Sequence, residues 1–123
     1  MLRQILVNLL ANAVKYTDRG EVVLVLRVEG HDAVVRIVVA VTDTGRGIAR
    51  DQQAHVFDPF WQADPASTPS GGSSGLGLSV ARQLARLLGG DVVLERSAPG
   101  LGSTFVVSLP ARYPGASDDR PGP

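Results

Sequence analysis

The chain has 123 residues, 44% of them apolar and 20% charged, which fits a soluble globular protein of one domain at most. Twelve basic residues balance twelve acidic ones, so a broad electrostatic nucleic-acid binder is excluded. Cysteine is absent, which removes disulfides, thiolate metal sites and cysteine nucleophiles, and no aliphatic run is long enough to span a bilayer.

Residues 2–17 carry the period of an amphipathic helix. At about 100° per residue, Ile5, Leu6, Leu9, Leu10 and Ala13 share one arc, while Asn8, Asn12 and Lys15 line the opposite side. Asp18-Arg19-Gly20 is a stop and turn signal. Two Val- and Leu-rich strands are expected over 21–29 and 33–42, joined through Gly30-His31-Asp32 as an antiparallel hairpin with at least one central strand. Asp43-Thr44-Gly45-Arg46-Gly47-Ile48 reads as a loop, and residues 51–56 as a short helix capped by Asp51. Residues 58–74 have no periodicity and read as a lid or a disordered loop. A second helix is expected over 76–88, burying Leu76, Val80, Leu84, Leu87 and Leu88, with Arg82 and Arg86 outside. Gly89-Gly90 ends it, and strands over 91–97 and 103–109 follow, joined by Pro99-Gly100-Leu101-Gly102. Residues 111–123 lack an apolar pattern and read as a disordered tail behind a domain spanning 1–110. Without an alternating strand–helix rhythm, this order implies an α+β fold: a mixed, mostly antiparallel sheet with helices on one face.

Three constellations carry chemistry. Asn8 and Asn12 are the only asparagines and Lys15 the only lysine of the chain, and all three stand on one helix face. Amide oxygens suit a Mg²⁺ ion that borrows its anionic oxygens from phosphates, and a lysine one turn on could neutralise those phosphates; a solvated helix face fits the same spacing. Asp43, at the end of an apolar strand, could accept a hydrogen bond from an exocyclic amine, with glycines beside it to admit a flat ring; an ordinary turn fits as well. Gly71-Gly72-Ser73-Ser74-Gly75-Leu76-Gly77-Leu78 runs into a helix whose N-terminus favours phosphate, although a flexible linker has the same composition. It is no Walker loop, because no Lys-Ser/Thr pair closes it.

In order, these segments resemble the catalytic ATP-binding domain of bacterial sensor histidine kinases, within the superfamily that includes gyrase-type and Hsp90-type ATPases. RQILVNLLANAVKYT resembles the family's asparagine box, DTGRGI its first glycine box and FDPFWQ its phenylalanine box. GGSSGLGLSVARQLARLLGGDV resembles the second glycine box with its helix, and GLGSTFVVSLP the closing strand motif. The resemblance implies a two-layer α/β sandwich, with ATP and Mg²⁺ as cofactors. It assigns Asn12 as principal Mg²⁺ ligand with Asn8 assisting, Lys15 to phosphate and Tyr16 to the adenine. Asp43 would receive the adenine amino group over a floor of Gly45, Gly47 and Ile48. Gly75, Leu76 and Gly77 would form the hinge and phosphate-facing end of the lid, and Thr104 would join the water network near the base.

The departures shape the functional expectation. Asn8 stands where the hydrolysing branches of the superfamily have a water-activating glutamate, which favours phosphoryl transfer over hydrolysis. The lid, Thr68-Pro69-Ser70 included, has no basic residue, whereas relatives often place a lysine or arginine there. Neither His31 nor His55 has the context of a phosphoacceptor, so the acceptor histidine is expected on a dimerisation domain in cis or in trans, with a response regulator as indirect partner. The family's strand before the asparagine box has no counterpart, so a truncation or split gene product is expected. The expected setting is cytoplasmic, alone or as the cytoplasmic part of a membrane-bound sensor, with no nucleic-acid or membrane contact by this segment. Two other readings remain: a nucleotide-binding module without transferase activity, and a serine kinase of the anti-sigma-factor type, against which FDPFWQ speaks.

Overall fold

The computed structural model describes residues 1–31, 34–61 and 76–111. Helix α1 spans Leu2–Lys15 and buries Ile5, Leu9 and Ala13, a stripe at i, i+4 and i+8 flanked by the partly buried Leu2, Leu6 and Leu10. Strands β1 (Val22–His31) and β2 (Val34–Asp43) form the expected hairpin, in a register running from Val22↔Asp43 to His31↔Val34. After a 3-10 helix at Arg50–His55 come α2 (Gly77–Leu87), β3 (Asp91–Ala98) and β4 (Gly102–Pro110). The sheet order is β1-β2-β4-β3, and every pairing among the described residues is antiparallel.

Period-2 alternation sorts the two central strands. Val39 and Val41 on β2, with Phe105, Val107 and Leu109 on β4, pack into one core with Ile5, Leu9 and Ala13 of α1 and Leu78, Ala81 and Ala85 of α2. Full burial of a side chain such as Ile5 contributes about 1.5–3 kcal/mol, so this interleaved layer is the main source of stability. Thr42, Ala40 and Val38 alternate to the other face of the sheet, next to Thr104, Val106 and Ser108 of β4. On β3 a bulge between Leu94 and Arg96 shifts the register before the hairpin closes at Ala98↔Gly102. The edge strand β1 leaves Leu24, Leu26 and Val28 exposed, so the helical layer covers the sheet's centre and not this edge.

Three local expectations are corrected. Asp51 does not cap the short helix; the cap position is Ala49, no side chain caps it, and Asp51 lies in the first turn. The buried face of α2 is Leu78, Ala81 and Ala85, while Leu87 and Leu88 are exposed. The alanines allow α2 to sit close to both α1 and the sheet, a seating that keeps Leu84 against the core and leaves Leu87 and Leu88 outside. Arg82 also lies inward of its expected place. Its guanidinium covers the Phe57 ring at 4.4 Å and its Nε donates to Asp91 Oδ1 at 3.0 Å.

The expected tail and most of the lid, with Thr68, Pro69, Ser70 and Gly75, lie outside the described residues, as does the Asp32 turn position.

Candidate functional site

The site is assembled where the C-terminal end of α1 meets the loop after β2. Tyr16 O accepts the Arg46 amide at 3.2 Å, Glu21 O accepts the Thr44 amide at 3.1 Å, and the Glu21 amide donates to Thr44 Oγ1 at 2.9 Å. From the other side, Arg46 O accepts the Gly100 amide at 2.7 Å and the Ile48 amide donates to Ser97 Oγ at 2.8 Å. Gln53 completes the brace, donating to Ile48 O at 3.0 Å and Ser97 O at 3.1 Å. The loop Asp43–Ile48 is therefore clamped between α1 and the β3–β4 hairpin.

The glycines of this loop are required by the clamp itself. A Cβ on Gly45 would run into Tyr16 O, and one on Gly47, whose φ is +72°, into Ala98 O. This is a different reason from the one read in the sequence, where the glycines were expected to admit a flat ring.

Asp43 is buried at the end of β2. Its Oδ1 accepts the Gly45 amide at 2.8 Å. Burial pushes its carboxyl above the ordinary aspartate range, and the amides of Gly45 and Ser103 only partly oppose that. A carboxylate so placed can still accept a donor such as an exocyclic amine.

On α1 the three expected residues stand in a row. Asn8 Oδ1 accepts from Gln4 at 2.7 Å, and its Nδ2 donates to Gly77 O at 3.2 Å, so α1 is tied to the start of α2 across 69 residues of chain. No described side chain hydrogen-bonds the half-buried Asn12 amide. Lys15 Nζ lies 5.0 Å from the centre of the Tyr16 ring, and the Arg46 guanidinium lies 5.3 Å from it. Leu76 occupies the cap position of α2, and a Cβ on Gly77 would meet open space.

The chemistry of this donor set fits a hydrated Mg²⁺ ion. Asn12 and Asn8 offer neutral amide oxygens, and among the described residues no group of three or more His, Asp or Glu side chains could hold an ion. The anionic ligands would thus come from bound phosphates.

Thr104 is placed away from this row. It pairs with Thr42, the two hydroxyls lying 3.0 Å apart, and shares the opposite sheet face. A cavity of about 260 Å³ opens by the hairpin, lined by Asp43 and Ser103 as well as Thr42, Arg96, Leu101 and Thr104, and by no residue of α1. Beside Asp43 stands Ser103, its register partner, whose hydroxyl lies 2.8 Å from that of Ser97. Counting alternation back from the core residue Phe105 puts Ser103 on the same side of the sheet as Asp43 and Thr104 on the other.

Of the aromatic residues after the short helix, Phe57 is structural, meeting Phe105 edge to face at 6.0 Å. Trp61 Nε1 donates to Gln52 Oε1 at 3.0 Å, while Phe60 is 70% exposed with φ +67°. His55 Nδ1 lies 3.1 Å from Asp58 Oδ2, an exposed local pair.

Comparison with known proteins bears on this geometry. The family model for histidine kinase-, DNA gyrase B- and HSP90-like ATPases matches residues 1–113. The chain is 50% identical over 109 residues to hybrid signal transduction histidine kinase F of Dictyostelium discoideum, covering 88% of this chain and 10% of that protein. Among solved structures, a mycobacterial sensor histidine kinase, MprB, superposes with a TM-score of 0.68 at 29% identity, over 89% of this chain and 71% of that one. Full-length ShkA in complex with AMPPNP gives the same TM-score at 35% identity, over 92% of this chain and 22% of that one. The chain spans about a tenth of the length of the curated relatives it matches. Among the described residues no helix is long and apolar enough to cross a membrane.

Proposed function

We propose, from the premise that this chain belongs to the histidine kinase-, DNA gyrase B- and HSP90-like ATPase family, that it binds Mg-ATP and gives the γ-phosphoryl group to a histidine on a separate helical segment. The observation that carries this reading is the clamp that ties the loop after the buried Asp43 to Tyr16 at the end of α1, the helix whose polar row ends in Lys15. A chain organised this way has a base-recognition end and a phosphate end, joined through Tyr16.

In this reading Asp43 accepts the adenine amino group, with Gly45, Gly47 and Ile48 as the floor and Tyr16 against the base. Lys15 neutralises phosphate charge at the other end. Asn12, assisted by Asn8, would hold Mg²⁺, which when bound offsets phosphate charge. The Leu76–Gly77 end of α2, with Gly75 ahead of it, faces the phosphates.

The chain's contribution is positioning and charge neutralisation, which carry most of phosphoryl-transfer catalysis. The bond between the γ-phosphorus and the β–γ bridging oxygen breaks as a bond to an imidazole nitrogen of the acceptor forms. ADP leaves with the bridging oxygen, and the acceptor nitrogen gives up its proton. Asn8 supplies no carboxylate to activate water, which supports transfer to a protein over hydrolysis. The partners in this reading are a phosphoacceptor and dimerisation domain, in cis or in trans, and indirectly a response regulator. The cytoplasm is its setting.

The test mixes the chain with a histidine-bearing helical hairpin and γ-labelled ATP. Acid-labile label on the hairpin is expected. Acid-stable label would indicate a serine kinase, and intact nucleotide binding without label a silent binding module. Asn12→Ala should remove the Mg²⁺ dependence of nucleotide affinity measured by calorimetry; an unchanged dependence would remove Asn12 from the metal role.

A further inference from the structure

Arg46, the residue between the two glycines of the clamped loop, has no role in the reading so far. Its backbone is fixed at both ends, the amide on Tyr16 O at 3.2 Å and the carbonyl under the Gly100 amide at 2.7 Å. The fixed backbone sets the direction in which the side chain leaves the loop, and the guanidinium lies 5.3 Å from the centre of the Tyr16 ring. Lys15 Nζ lies 5.0 Å from the same centre, so the two cations are within about 10 Å of each other.

Two cations facing one ring raise the positive potential there, which favours an anion beside them. Among the described residues the anion paired with Arg46 is Asp18, but Nη2 and Oδ2 are 4.0 Å apart and the Asp18 side chain is 87% exposed. An ion pair that long and that wet is worth little. A third fact comes from the sequence: residues 51–81 contain no lysine or arginine, so the lid segment brings no cation to a bound anion.

We propose that Arg46 supplies the second cation for the anionic end of a nucleoside polyphosphate, acting with Lys15 across the Tyr16 ring. This rests on the nucleotide reading above and extends it to a residue that reading leaves out. On binding, the guanidinium leaves its loose contact with Asp18 and donates charge-assisted hydrogen bonds to phosphate oxygen, in place of a basic side chain from the lid. Asp18 competes for the same guanidinium and therefore weakens binding.

Calorimetric titration with ADP, ATP and adenosine tests this on the wild-type chain and on Arg46→Gln, Arg46→Lys and Asp18→Asn. Arg46→Gln should weaken ADP and ATP about five- to tenfold and leave adenosine within about twofold, at an unchanged Tm. Arg46→Lys should recover part of the loss, and Asp18→Asn should tighten ADP about twofold. An equal loss for adenosine and ADP would overturn the proposal, because Arg46 would then act on the base end or the loop. So would an ADP affinity indifferent to both Arg46 variants. Wild-type chain that binds none of the three, while folded, would instead overturn the nucleotide reading itself.

Discussion

Two aspartates stand at strand ends, Asp43 closing β2 and Asp91 opening β3, and the fold treats them in opposite ways. Burial alone would raise both carboxyls. At Asp91 it is outweighed by hydrogen bonds from Arg82 at 3.0 Å and Arg86 at 3.1 Å and from the Val92 amide, which hold the carboxyl below the ordinary range. At Asp43 only the backbone amides of Gly45 and Ser103 answer, and the carboxyl stays raised. Asp91 is neutralised by its own chain and fastens α2 to β3. Among the described residues no cation meets the buried Asp43, which keeps acceptor capacity for an incoming donor. The difference separates a carboxylate used for folding from one that the proposed reading reserves for binding.

Exchanging the two roles by mutation gives the largest expected effect. Asp43→Asn should weaken ADP and ATP alike, roughly 10- to 100-fold, because a charge-assisted hydrogen bond to the base is lost. It should not lower Tm, since a desolvated charge is removed with it. Asp91→Asn should do the reverse, leaving nucleotide affinity intact and costing stability. Asp91 is more than a third exposed, so solvent screening limits that cost to about 1 kcal/mol, readable by denaturant titration. Equal effects of both variants on binding would dissolve the contrast.

Acidity sharpens it next. The folded pKa of Asp91 is depressed, so its stabilisation is complete above the unfolded value of 3.8 and lost as pH falls through the lower folded value. The folded pKa of Asp43 is raised, so its contribution to stability is complete below 3.8 and lost as pH rises through the folded value. In the proposed reading, nucleotide binding prefers the ionised Asp43. Affinity should therefore fall on acidification from a pH above 3.8, before the Asp91 contact weakens, and Asp43→Asn should flatten that fall. Parallel Kd and Tm profiles against pH check the order.

Much of this was legible beforehand. The row Asn8, Asn12, Lys15 and the apolar arc behind it follow from helical period alone, because α1 is regular and amphipathic. The hairpin and its near-continuous apolar strands were equally plain. What escaped had physical reasons. The inward face of α2 is built from alanines, which periodicity weights less than leucines, although close helix packing favours them. Arg82 reads as a surface residue until Phe57 and Asp91 are brought beneath it by the fold. Thr104 and Ser103 take opposite sides of the sheet, and alternation back from the apolar Phe105 is the local signal that tells them apart.

That parity has a consequence for how the molecule tolerates change. Asp43 and Thr42 are neighbours in sequence but belong to opposite sides of the sheet, and the same holds for Ser103 and Thr104. Loss or gain of a single residue within β2 would present a threonine where the carboxylate belongs, while leaving a strand of almost the same composition to pair. Length variation inside this strand is thus a route by which a descendant of the chain could keep its architecture and fall silent toward nucleotide in one step.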